Sequence, residues 1–332
     1  MSFHFLSAKI IQTLRRITWQ LVCPLLIITM VQCSKSPAEP VWTTFTAEDG
    51  LANNWVTAIT IDPMGNKWFG CMIRSISCYD DRSWTTYTIP DEYVCGWIFD
   101  IVVDRNNNKW LGTLGSGAVK FDGDTWTSYN ESNGFPGNDA LALATDREGN
   151  VWFGTREGVV KYDGDEWVTY TETDGLVSNA ITAIAEDAAG NMWFGSVSGD
   201  ISKFDGTTWT SFIKPAGGTV NVSIDEIAAD NEGNVWVACG DGALRYNGVG
   251  WRVFDKPDGL CGYGTLSVAV DQNGNKWFAT IEGVSSFDGT NWTCYTENDG
   301  LADNQVTSIA IEPDGTLWFG TGEAGVSSLS FE

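Results

Sequence analysis

The chain has 332 residues, 43% of them hydrophobic, with 37 Gly and 17 Trp, and a formal net charge of −24. That length suits one large all-β domain or two smaller ones, and that charge argues against a nucleic-acid partner, because neutralising phosphates needs clustered Lys and Arg. The only histidine is His4, so no imidazole is at hand for a catalytic triad, a proton shuttle or a His-ligated metal once a leader is removed.

In chain order, Lys9, Arg15 and Arg16 precede an apolar run from Ile17 to Val31. Gln20 and Pro24 interrupt it, it is too short to span a bilayer, and it reads as an export signal over residues 1–32. Cys33 follows at once, and Met30-Val31-Gln32-Cys33 before Ser34 resembles a bacterial lipobox. This implies that Cys33 is lipidated and heads the mature protein, with 33–40 a short linker; cleavage near Ser36 to Ala38 is the alternative. Loss of the leader removes three basic residues and no acidic one, so the charge moves from −24 to about −27. The expected location is the envelope of a bacterium, on the outer membrane, with the lipid anchor as the membrane contact.

After the leader, "VWTTFT" (Val41 to Thr46) reads as a lone strand headed by Trp42. A unit then recurs. "GNKWFG", Gly65 to Gly70, returns as "NNKWLG", "GNVWFG", "GNMWFG", "GNVWVA", "GNKWFA" and "GTLWFG", with Trp at 68, 110, 152, 193, 236, 277 and 318, a spacing of 41 to 43 residues. A second Trp series at 42, 84, 126, 167, 209, 251 and 292 usually follows Asp-Gly, so fourteen of the seventeen tryptophans belong to the repeat. Periods near 40 with four short strands each indicate a β-propeller. The unit at Ile181 shows the pattern: alternating "ITAIAED", a Gly turn, "MWFGS", then "DISKFDG" and "TWTSF" around an Asp-Gly turn. Each blade is apolar on both faces and hides them only by stacking on its neighbours. The last unit ends at "GVSSLSF" without a fourth strand, which Val41 to Thr46 can supply. The expected fold of 41–332 is all-β: a seven-bladed β-propeller of four-stranded blades, closed by the N-terminal strand completing the last blade.

The pattern T-x-x-D-G-L-x-x-N-x-V-T-x-I-A-x-D-x-x-G-N-x-W-F-G-T-x-x-G-V, nearly complete at Thr171 to Asp200 and Thr296 to Val326, resembles the two-component-regulator propeller repeat of bacterial sensors, over about residues 41 to 332. In that family such propellers often form the periplasmic ligand sensor of a membrane histidine kinase, frequently for oligosaccharides. This chain departs from that plan, with no transmembrane helix, kinase or receiver segment after the propeller, so the resemblance implies a stand-alone sensor-like binding module. A more distant resemblance to streptogramin lyases implies a chemistry that needs His residues and a metal, which this composition does not supply.

In a propeller the fourth-to-first and second-to-third loops share the face at the mouth of the axial channel. Just before the first strand the seven copies read Trp55, Trp97, Asp139, Ala180, Ser223, Gly264 and Gln305, with Tyr93 in the same loop as Trp97. Flat aromatic faces suit sugar rings and other apolar-faced ligands; the alternative is that both tryptophans cover the blade junction. At mid-strand on the innermost strand, Asp100 and Glu226 replace Ala58, Ala142, Ala183, Ser267 and Ser308. They could work as acid and base, hold a cation or polar ligand, or be hydrated by channel water, since burying them unpaired is costly. The Asp of each "DxxGN" turn is expected to cap its own turn, with weak Ca²⁺ binding the alternative; no metal motif, cofactor motif or catalytic cluster is present. The expectation is a non-enzymatic module that binds a small molecule or glycan at Trp55, Trp97, Tyr93, Asp139, Asp100 and Glu226. The alternatives are a scaffold for an envelope protein partner and a polysaccharide lyase or hydrolase.

Beyond Cys23 and Cys33, six cysteines remain, in an oxidising compartment. Cys71 and Cys239 both lie three residues after the second-strand Trp, while Cys95 and Cys261 both lie in the following fourth-to-first loop. The pairs expected on this register are Cys71–Cys95 and Cys239–Cys261, with Cys78 and Cys294 free; the alternative leaves all six reduced.

Overall fold

The computed structural model describes residues 39–331 apart from 73, 94–95 and 214–221. The leader, Cys33 and Cys95 lie outside the described residues. Pro40–Glu332 forms one compact unit, built of seven four-stranded antiparallel sheets. Six sheets follow the chain, at 56–88, 98–129, 140–170, 181–212, 224–254 and 265–295 (blades 1 to 6). Blade 7 takes Val306–Ile311, Leu317–Thr321 and Val326–Phe331, and its outer strand is Pro40–Phe45, paired antiparallel with Val326–Phe331 from Pro40 opposite Phe331 to Phe45 opposite Val326. The ring is closed by its own beginning.

Each second strand is buried along its whole length, as in Val151–Thr155 and Met192–Ser196. A middle strand covered on both faces by neighbouring blades has no solvent side, which is why "VWFGT" and "MWFGS" are nearly continuous apolar runs. The "DxxGN" turn is bound to this core. Asp62 accepts from the Met64 and Asn66 amides at 2.9 and 3.0 Å, from Asn66 Nδ2 at 2.9 Å and from Trp68 Nε1 at 3.0 Å. The same Trp-to-acid bond recurs in all seven blades, ending with Trp318 and Glu312 at 2.6 Å. Burial opposes ionisation of Asp62, but these donors outweigh it and hold its carboxyl below the usual range. The capping role expected of these acids is what the turns show.

At three blade junctions a buried lysine adds a bridge. Lys109 lies 4.3 Å above the Trp68 ring and 3.8 Å from Asp62 of the preceding blade. Lys276 repeats the arrangement over Trp236 with Asp230 at 3.5 Å, and Lys67 reaches Glu312 at 3.3 Å and also contacts Asp81.

Candidate functional site

The innermost strands surround an axial cavity of about 270 Å³. Every one of them breaks register after its first residue: Ile98 pairs with Thr113 but Asp100 with Gly112, and Ile224 pairs with Cys239 but Glu226 with Ala238. This is a bulge, and a bulge sets two consecutive residues against one partner residue. The cavity lining therefore includes the bulged residues Phe99 and Asp225 beside Asp100 and Glu226. A strict alternation of inward and outward residues conceals both.

Asp100 accepts from the Leu143 amide of the next blade at 2.6 Å and from the Ile101 amide at 2.7 Å. Burial nevertheless pushes its carboxyl up to about 6. Glu226 accepts from the Val268 amide, also on the next blade, at 2.9 Å. Its carboxyl is pushed up to about 7, by burial first and by the charge of Asp100 in addition, against the hydrogen bonds from Ser267 and Val268. Asp225 is raised to about 6 by burial, with Ser223 opposing. Among the described residues, no lysine, arginine or histidine lines this cavity.

At the mouth, the residue before the first strand is pinned in four blades by its own blade's second-to-third loop. The Met72 amide donates to Trp55 O at 3.2 Å, Leu114 to Trp97 O at 3.0 Å, Val197 to Ala180 O at 3.0 Å and Gly322 to Gln305 O at 3.1 Å. The equivalence of these positions in the sequence is thus an equivalence in space. Trp55 and Trp97 come together, ring centroids 6.3 Å apart and planes at 41°, and Trp97 lies 6.4 Å from Phe99. Trp97 thus neighbours both Trp55 and the cavity-lining Phe99, and it is 44% exposed.

The other two expected site residues are engaged within the protein itself. Tyr93 is not part of the mouth: its ring packs on the cluster of Ile89 and Phe121, and its hydroxyl donates to Trp126 O on the outer strand of blade 2 at 3.2 Å. A phenol long enough to reach that carbonyl satisfies its hydroxyl there and turns its apolar body inward. Asp139 is committed to Arg156 at 2.9 Å and to the Gly115 amide at 3.0 Å, which ties two neighbouring loops.

The expected Cys239–Cys261 pairing is corrected: Cys261 is bonded to Cys294, Cα atoms 5.4 Å apart, so Cys294 is not free. The reason lies in the path of the fourth-to-first loop. The residue after its Leu donates its amide to a third-strand serine: Ala52 to Ser77, Val177 to Ser202, Cys261 to Ser285 and Ala302 to Ser327, at 2.8 to 2.9 Å. The loop thus crosses to the outer half of its blade, where Ser285 faces Cys294 across the strand pair. Cys239 is a buried free thiol that donates to Gly242 O at 3.4 Å, and burial pushes it up to about 11. Cys71 is also a buried free thiol, donating to Asn53 O at 3.7 Å and pushed up to about 12 by burial. The expected Cys71–Cys95 bridge therefore has no counterpart at Cys71, and Cys95 lies outside the described residues. Cys78 is free, as expected.

Residues 134–157, 175–198 and 300–323 match the family model described as two component regulator propeller. No curated protein matches the chain. Among solved structures, the extracellular domain of the putative hybrid two component system BT3049 from B. thetaiotaomicron gives a TM-score of 0.75 at 21% identity, covering 87% of this chain and 41% of that one. A catalytically inactive virginiamycin B lyase from Staphylococcus aureus, solved with quinupristin, gives 0.72 at 14% identity over 89% and 100% of the two chains. PorZ, a surface component of the type-IX secretion system of Porphyromonas gingivalis, gives 0.68 at 19% over 86% and 48%. At such identities the likeness is one of fold, and this chain spans less than half of the BT3049 domain. Three of its own repeats match that family's model, and all seven blades stand on one closed ring.

Proposed function

We propose that the protein is an exported, non-enzymatic ligand-binding module of the sensor type, held at the bacterial outer membrane by a lipid on Cys33. It takes an oligosaccharide, or another small ligand with a flat apolar face, at the loop face of the propeller. One observation carries this reading: Trp55 and Trp97 meet at 6.3 Å with Trp97 left 44% exposed, where the other five blades place Asp, Ala, Ser, Gly and Gln. An indole kept in water at a loop mouth does little for the core, and its face suits a sugar ring. The extracellular domain of a putative hybrid two component system among the structural neighbours supports the location by analogy of fold alone. The lyase of the same fold is not a guide to chemistry here, since the only histidine is His4.

A glycan array probed with the parent and with a Trp55→Ala, Trp97→Ala variant tests the proposal. The variant is expected to melt close to the parent and to lose the glycans the parent retains. A loss of stability near the 3–5 kcal/mol typical of a buried Trp would instead assign both rings to the core. A protein-docking role is the second reading, because Leu114, Val197, Tyr263 and Ile281 are exposed on loops of this same face; an array without any binder would favour it.

A further inference from the structure

The axial cavity lies beneath the aromatic mouth but has a chemistry of its own. Its wall carries three carboxylates, Asp100 on blade 2 and Asp225 with Glu226 on blade 5, and among the described residues no basic side chain to match them. Ser308, which occupies the corresponding position on blade 7 and lines the same cavity, is 8% exposed, and its hydroxyl has no hydrogen-bond partner among the described residues. An unpaired hydroxyl in a packed wall is uncommon in a folded protein and calls for a partner. Between the acids the wall alternates small aliphatic side chains, Ala58, Ala142 and Ala183 among them, with the hydroxyl residues Thr57, Thr182 and Thr307. Phe99 also lines the cavity and touches Trp97 at the mouth, so aromatic faces, which attract cations, lead inward toward the acids.

An occupant matched to this wall is narrow, aliphatic along its length, and positively charged at points that meet acids on opposite sides of the ring. We propose that the axial cavity binds a linear aliphatic diamine or polyamine, its ammonium groups on Asp100, Asp225 and Glu226 and its entry along Trp97 and Phe99. A metal ion fits less well. Ca²⁺ takes six to eight oxygens and Mg²⁺ a near-ideal octahedron, and among the described residues no three acidic, His or Cys side chains come together as a metal site. Of the titratable groups on the seven innermost strands, these three acids are the ones that face the cavity. Their raised proton affinity adds a pH signature: the amine meets ionised partners above about pH 7 and protonated ones near pH 5.

The test is calorimetric titration of spermidine and putrescine into the full propeller at pH 8, with Mg²⁺ as competitor. Asp100→Asn with Glu226→Gln is expected to weaken spermidine about tenfold or more, as is Asp225→Asn alone. Asp122→Asn, in an exposed turn of blade 2 away from the cavity, is expected to leave it within about twofold of the parent, and a shift to pH 5 to weaken it as the variants do. Among the described residues Asp225 has no backbone amide tie to lose, so that single variant decides the question if the double variant fails to fold. The proposal is overturned if the parent does not bind spermidine, if the variants bind it as the parent does, as a merely acidic surface would, or if equimolar Mg²⁺ displaces it. Glycan binding at the mouth can fail without touching this result, because the two sites answer to different variants.

Discussion

Asp100 and Glu226 stand where five blades place alanine or serine, and each takes an amide from the innermost strand of the next blade. They serve as staples between blades, and as staples they function in either protonation state. Their carboxyls, with that of Asp225, are raised to about 6, 7 and 6. A folded-state value above the unfolded one means that the folded chain holds its proton more tightly. This stability is present at low pH and is lost as pH rises through the folded value. Since the only histidine is His4, these three acids own the window from pH 5 to 8. The stability without ligand should fall across that window by on the order of 1 kcal/mol for each Asp and 2 kcal/mol for the Glu, read as a falling melting temperature. In Asp100→Asn, Glu226→Gln most of that slope should vanish, with a higher melt at pH 8; a profile as steep as the parent's would show that other groups set it. The two mid-strand acids were legible in the sequence because repeats expose any residue that departs from its column. Asp225 and Phe99 were not, because the bulge turns a position inward that alternation assigns outward. Tyr93 misled for another reason: a loop position carries no information about which way a long side chain turns.

Strands and turns were legible throughout, since Trp, Asp-Gly and "GN" mark the same points every 41 to 43 residues. The route of the loops over the blades was less so. Register along a strand does not tell how far a fourth-to-first loop travels outward before it turns in, and the cysteine pairing depends on that distance. The Cys261–Cys294 bond fastens this loop to the outer strand of blade 6, across a separation of 33 residues. On the chain-entropy estimate it contributes about 3–4 kcal/mol. Non-reducing peptide mapping should recover a Cys261–Cys294 peptide, and Cys294→Ser should lower the melt accordingly; a Cys239–Cys261 peptide would contradict the loop path. The lysine bridges were written in plain view in "GNKWFG", "NNKWLG" and "GNKWFA", but a lysine in a buried strand is meaningful only when its partner on another blade is known. Lys109 is 4% exposed between the Trp68 ring and Asp62. Lys109→Ala should cost about 3 kcal/mol by leaving a buried acid with one partner fewer. Lys109→Met keeps the stem and should cost clearly less, and equal melts for the two variants would show that the stem contributes nothing and the ammonium alone matters.

Closure is the property that belongs to the ring as a whole. The strand Pro40–Phe45 does more than complete a hairpin, because its two aromatic residues face different neighbours. Trp42 lies 5.9 Å from Tyr295 of blade 6 and 5.6 Å from Phe319 of blade 7. Phe45 stacks on Trp318 of blade 7 at 5.5 Å and meets Trp84 of blade 1 at 5.7 Å. One strand thus joins the first blade, the last and the one before it. The fit is close: Gly300 has φ +116°, and a Cβ there would lie 2.8 Å from Trp42 Cδ1, so both backbone and space require glycine. Without the strand, Val326–Phe331 becomes a bare edge and the faces of two blades meet water. A chain lacking residues 40–46 should lose cooperative melting, and Trp42→Ala should cost about 3 kcal/mol. The decisive arm is a circular permutant. Pro40 and Phe331 are register partners at the end of their hairpin, so a short Asp-Gly turn of the kind that joins these strands in other blades can link 331 to 40, with new ends opened between Gly206 and Thr207. If the strand acts by pairing and packing, the permutant should melt within about 5 °C of the parent while the deletion does not fold. A permutant as disrupted as the deletion would mean that the strand must arrive from a free N-terminus, and a deletion as stable as the parent would mean that six blades and three strands hold the ring without it.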